Sequence, residues 1–172
     1  GIEHHPKMDN RNVRKRNAKL MEQLMEGVRA GIGLIAYNLA EVYYNGAPGV
    51  HKNWNKTLDL YVITMEANDA VAIADNDALQ RMFFPNLLGV IDSMELDGLA
   101  PVEPRLQAAC TLPHWQRLPA ARFAALYGKA RLAYLQSRRA EAAETWRLAI
   151  KMWKHLETQP LLVKYCIEAR HQ

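Results

Sequence analysis

The apolar positions of this chain recur with the spacing of helices. From residue 20 they run Leu20, Leu24, Val28, Ile32, Ile35, Leu39 and Val42, in steps of four, four, four, three, four and three. A 3.6-residue period places all seven on one helix face. Gly31 and Gly33 interrupt that face, and glycine inside a helix costs about 1 kcal/mol relative to alanine, so the pattern predicts a break or bend there. Gly46-Ala47-Pro48-Gly49 ends it. A second helix is predicted over 54–66, with Leu58, Tyr61 or Val62, and Met65 on one side and Asn53 as its N-cap. Asp75-Asn76-Asp77 offers a cap for a helix over 78–84, Pro85 predicts an interruption, and helical spacing resumes over 86–96. Residues 97–104 read as a loop, 104–110 as a short helix and 111–119 as an irregular link. Pro119 suits the first position of a helix carrying Phe123, Leu126 or Tyr127, Ala130 and Tyr134. Ser137-Arg138-Arg139 reads as a tight turn into a partner helix over 140–156, with Ala142, Trp146, Ala149, Ile150 and Trp153 on one face. Pro160 opens a last helix reaching residue 170. Apolar-polar alternation hardly occurs, so strand signals are weak. The expected fold class is all-α, antiparallel helical hairpins making about seven to nine helices.

Two stretches carry a resemblance. In 36–69, Leu39-Ala40, Tyr43, Gly46, Gly49-Val50, Asn53, Lys56-Thr57 and Tyr61 occupy the places of a Leu-small pair, an aromatic, a glycine turn, a cap and a second small-aromatic pair. This pattern is similar to the Sel-type repeat, the longer-turn relative of the tetratricopeptide repeat. It departs by one extra turn residue, by Asn53 for Asp and by Thr57 for Ala. In 124–150, Ala130, Tyr134, Ala142, Trp146 and Ala149 more loosely resemble a tetratricopeptide hairpin, with Lys129 where Leu is usual and Ser137 in place of the turn glycine. The resemblance implies a short stacked α-α superhelix that binds proteins. Residues 70–118 match neither repeat. In physical terms Ala40, Thr57, Ala130 and Ala142 are seats where one helix nests on another, Tyr43 and Tyr61 fill the space between helices, and Val50 tucks the turn inward.

Composition narrows the class. The chain has 172 residues, and 49% are hydrophobic and 23% charged, the balance of a globular protein. No apolar run approaches the ~20 residues that span a bilayer, and no signal-peptide core follows Gly1-Ile2, which read as an added or processed end. Cys110 and Cys166 cannot staple a scaffold or fill a thiolate zinc site, which predicts a cytoplasmic or other reducing compartment. The net charge of +4 is unevenly placed. Residues 11–19 hold Arg11, Arg14, Lys15, Arg16 and Lys19 without an acid, 57–104 hold nine acids against Arg81, and 117–154 hold nine bases against Glu141 and Glu144. The domain reading is a basic N-terminal extension over 1–19 and a single helical-repeat domain over 20–172.

Chemistry-bearing patterns are sparse. His4-His5 read as a tag or frayed end, and no His pair has the spacing of a helical zinc site. Cys110 and His114 stand four apart beside prolines, a spacing open to a metal or a nucleophile pair, though a packed histidine and a core thiol are the plainer readings. No carboxylate pair is singled out for acid-base work. No metal or cofactor is expected. The expected function is a non-catalytic protein-protein interaction scaffold that holds a partner peptide or helix. Its contacts are expected at Asn38, Glu41, Tyr44 and Asn45 of the first hairpin and Arg131, Arg138 and Arg139 of the second. The alternatives are RNA binding through 11–19 and 117–154, and a small all-α enzyme. With two repeats so few, either self-association into a homo-oligomer or a capping role for the irregular segment 70–118 is a further expectation.

Overall fold

The computed structural model describes Ile2 and residues 11–152. These fold into helices, with one isolated antiparallel bridge, Ala47 to Val50, and no strand among the described residues. The chain divides into two compact units between Ala70 and Val71. No helix of the described residues is long and apolar enough to cross a membrane.

The first unit holds α1 (Arg11–Arg29), α2 (Gly33–Asn45) and α3 (Trp54–Glu66). The stripe 20–42 breaks where its glycines predicted. Gly31 has φ 82°, Gly31 N–H donates to Val28 O at 2.9 Å and Ile32 N–H to Gly27 O at 3.1 Å, the paired bonds of a Schellman end. The run 11–19 forms the first half of α1. Val13 and Asn17 are buried there and continue the stripe backward from Leu20 by steps of three and four. The Asn17 side chain donates to Pro48 O at 2.9 Å, tying α1 to the α2–α3 turn. Pro48 is buried and Val50 only half-buried, so the proline rather than the valine seats that turn. Two glycines shape it: Gly46 and Gly49 have φ 75° and 80°.

Helices α2 and α3 form an antiparallel hairpin. Asn53 N–H reaches Tyr43 O at 2.9 Å at one end, and Gly33 N–H reaches Asp69 Oδ1 at 2.8 Å at the other. Asn53 caps α3 as expected, accepting from Lys56 N–H at 3.0 Å. Ala36, Ala40 and Thr57 are fully buried, and the Thr57 hydroxyl is satisfied within its helix by Asn53 O at 2.8 Å. Tyr61 is buried and stacks on Tyr37, with ring centroids 6.2 Å apart, whereas Tyr43 stays half-buried under Lys56. The expected Tyr43–Tyr61 filling is thus performed by Tyr37 and Tyr61, because Tyr37, six residues earlier, lies on the buried face of α2.

Chain continues through α4 (Ala70–Ala74) into α5 (Asp77–Ser93), α6 (Leu96–Leu99), α7 (Glu103–Cys110), α8 (Pro113–Gln116), α9 (Pro119–Leu135) and α10 (Arg139–Lys151). Asn76 caps α5 by accepting from Leu79 N–H at 3.0 Å. Pro85 does not interrupt α5 as expected; it is buried in its middle. A mid-helix proline forgoes one backbone bond and costs about 3 kcal/mol. Phe83, Phe84, Leu87 and Leu88 around it are fully buried, each contributing roughly 1.5–3 kcal/mol, so packing wins. The expected loop over 97–104 and link over 111–119 contain α6 and α8. Pro104 and Pro113 sit in the first turns of α7 and α8, where a missing N–H costs nothing.

Helix α9 is the centre of this second unit. It buries Ala120, Ala121, Phe123, Ala124, Tyr127, Gly128, Ala130 and Ala133, residues spread around its circumference, and α5, α6, α7, α8 and α10 pack on it. The Tyr127 hydroxyl donates to Asp92 Oδ1 at 2.7 Å and Gln107 Nε2 to Ala125 O at 2.7 Å. Phe83, Phe84 and Trp115 form an aromatic cluster with centroids 5.2 to 5.9 Å apart. Helix α10 starts at Arg139 and pairs with α9 through Ala142, Trp146 and Ala149, all buried. The expected continuation to 156, the helix after Pro160, Trp153 and Cys166 lie outside the described residues.

Candidate functional site

The stripe read as core in α1 and α2 is not fully closed. Leu39 is buried, but Leu20, Leu24, Ile35 and Val42 are only half-buried. With Gln23 and Asn38 they line a groove of about 550 Å³. A second groove of about 410 Å³ is lined by Glu41, Val42, Asn45, Gly46 and Ala47. Val42 and Ile2 border both, so the two adjoin. A third recess, about 440 Å³, lies beside Met21, Met25, Leu39 and Tyr43 with Glu22, Glu26 and Arg29 at its rim.

Three of the four contacts expected in the first hairpin therefore meet: Asn38, Glu41 and Asn45 lie three and four residues apart on α2 and border the adjoining grooves. Glu41 accepts from the Tyr61 hydroxyl, and Asn45 Nδ2 donates to Glu41 O at 3.0 Å. Burial, with the Glu41 charge as a second cause, pushes the Tyr37 phenol up to about 12. Tyr44 turns elsewhere, edge-on to Trp54 at 5.4 Å between centroids. Trp54 is 38% exposed, because it stands at the first position of α3, outside the packed turn.

The contacts expected in the second hairpin belong to the other compact unit. Arg131 Cζ lies 5.7 Å and Arg139 Cζ 5.5 Å from the Tyr134 ring centroid, and the Trp146 ring is 5.8 Å away. Arg138 is bound locally, to Gln136 and to Glu141, its i+3 neighbour. The Tyr134 gathering was missed because Tyr134 was assigned to the buried stripe; it is 39% exposed.

The basic residues Arg11, Arg14, Lys15, Arg16 and Lys19 are all exposed on α1. Arg11, Lys15 and Lys19, four apart, make one ridge, while Arg14 lies against Gly49. The Cys110–His114 pair does not form a nucleophile couple: no hydrogen bond joins them, and burial pushes the Cys110 thiol up to about 12, against the direction a thiolate needs. Among the described residues no group of three or more His, Cys, Asp and Glu gathers as a metal site. Compared with known proteins, the chain matches no family model, no curated protein and no solved structure.

Proposed function

We propose that this chain is a non-catalytic protein-protein interaction scaffold, built from tetratricopeptide- or Sel-like hairpins, which holds a partner peptide or helix in the α1–α2 grooves. The observation that carries this reading is the make-up of those grooves: an apolar floor of Leu20, Leu24, Ile35 and Val42 edged by Asn38, Glu41 and Asn45. Apolar burial supplies affinity and a polar rim fixes register, the usual division of labour in peptide and helix grooves. The paired helices with alanine seats support the repeat reading. Affinity capture with cross-linking tests it. Cross-links should map to α1 and α2, and Asn38→Arg and Val42→Asp should abolish capture while Arg139→Gln leaves it intact. Capture unaffected by the groove variants defeats the proposal.

One observation favours nucleic acid as a second reading: the exposed Arg11, Lys15 and Lys19 ridge. A phosphate partner there would bind with a steep salt dependence and weaken on Lys15→Glu.

A further inference from the structure

A second face of mixed charge lies in the unit that follows Ala70. Tyr134 is 39% exposed, with the Arg131 and Arg139 guanidiniums beside its ring. Neither arginine pairs with a carboxylate among the described residues, and Glu141 is taken by Arg138. Two buried N–H groups here have no acceptor, Arg131 Nε and Trp146 Nε1. Adjoining this cluster is its opposite in charge. Arg131 Nη2 lies 3.4 Å from Met94 O, and α6, whose first residue is Leu96, packs on α9. Leu96 is 39% exposed between Glu95 and Asp97, both exposed and neither engaged with a base among the described residues.

One surface thus carries an apolar side chain flanked by two acids next to an aromatic flanked by two bases. RNA or an acidic peptide is attracted by one half and repelled by the other, and a basic peptide meets the reverse. The partner that satisfies both halves has the same pattern turned about a two-fold axis, which is the requirement of an isologous contact. We infer that this face binds a second copy of the chain, Leu96 and Asp97 of each copy seated on Tyr134 and Arg139 of the other. Two exposed apolar residues a side make a small contact, well under the ~800 Å² per partner of a tight complex, so the dimer is weak and concentration-dependent.

Sedimentation equilibrium of the full chain tests this. A monomer-dimer equilibrium is expected, weakened at least about tenfold between about 50 and about 500 mM salt. Arg139→Glu and Asp97→Arg each place like charges in both halves of the contact and should each weaken the dimer at least about tenfold. Mixing the two variants restores opposite charge in both halves and should restore the dimer, which also shows that each variant is folded. Arg122→Glu, the same charge change at an exposed site early in α9, should leave the constant within about twofold. A wild-type chain that stays monomeric overturns the inference, including one that instead binds oligoglutamate or oligouridylate through Arg139. Mass growth beyond the dimer, or a dimer indifferent to both variants, overturns it as well. Since the grooves of α1 and α2 take no part, loss of the dimer leaves the scaffold reading standing, and loss of capture leaves the dimer standing.

Discussion

The backbone N–H of Gly33 donates to Oδ1 of Asp69 at 2.8 Å, across 36 residues of chain. The bond caps the first turn of α2 with a carboxylate carried beyond the end of α3, and so closes the open end of the hairpin. A negative charge at a helix N-terminus is favourable, and the donor it meets has no partner within its own helix. Asp69→Ala should therefore cost about 1–2 kcal/mol in urea unfolding. Gly33→Ala should cost at least as much, because its Cβ would stand 2.7 Å from the same Oδ1 and 2.9 Å from the Ala67 Cβ. An unchanged midpoint for both would show that the cap contributes nothing.

The ends of α1 and α9 use the same backbone device with different residues. Ser137 N–H donates to Tyr134 O at 3.0 Å and Arg138 N–H to Ala133 O at 2.9 Å, the bond pattern found at Gly31. Ser137 adopts φ 63°, and Gly31 φ 82°. A non-glycine residue in that region costs roughly 1–2 kcal/mol. Ser137→Gly should raise the melting temperature and Gly31→Ala lower it, the latter through the backbone alone, since its Cβ would have nothing within 4 Å. Opposite signs in parallel thermal scans are the expected result.

Asn17 is a fully buried polar side chain whose amide reaches Pro48 O at 2.9 Å. Asn17→Leu should lose about 1–3 kcal/mol, since it leaves a buried carbonyl without its donor. Hydrogen exchange should then show faster opening confined to the end of α2 and the turn that follows.

Tyr37 and Cys110 set an alkaline limit. Their acidic forms are raised in the folded state from 10.0 and 9.0 to about 12, by burial in both cases and for Tyr37 by Glu41 as well. The unfolded chain therefore loses these protons first. The stability they contribute is whole below about pH 9 and is lost as pH rises from 9 towards 12. Tyr37→Phe should flatten the upper part of that decline. In a Cys166→Ser chain, Cys110 should resist iodoacetamide at pH 8 until denaturant is added; prompt alkylation of the folded protein would contradict its burial.

Helix content, the break at Gly31, the caps at Asn53 and Asn76 and the small seats at Ala40, Ala130 and Ala142 are written in local spacing and in backbone chemistry, so the chain declares them residue by residue. Other features depend on what a helix meets. Pro85 stays inside α5 because aromatic burial outweighs one lost bond. Val13 and Asn17 are buried in the basic run of α1, where the Asn17 side chain reaches the turn at Pro48. Four of the seven positions of the Leu20 to Val42 stripe line the adjoining grooves, and Tyr134 lies at the surface beside two arginines. Periodicity names the face that turns away from water; how completely that face is covered, and which distant charges adjoin it, is decided by the packing of helices whose partners lie tens of residues away.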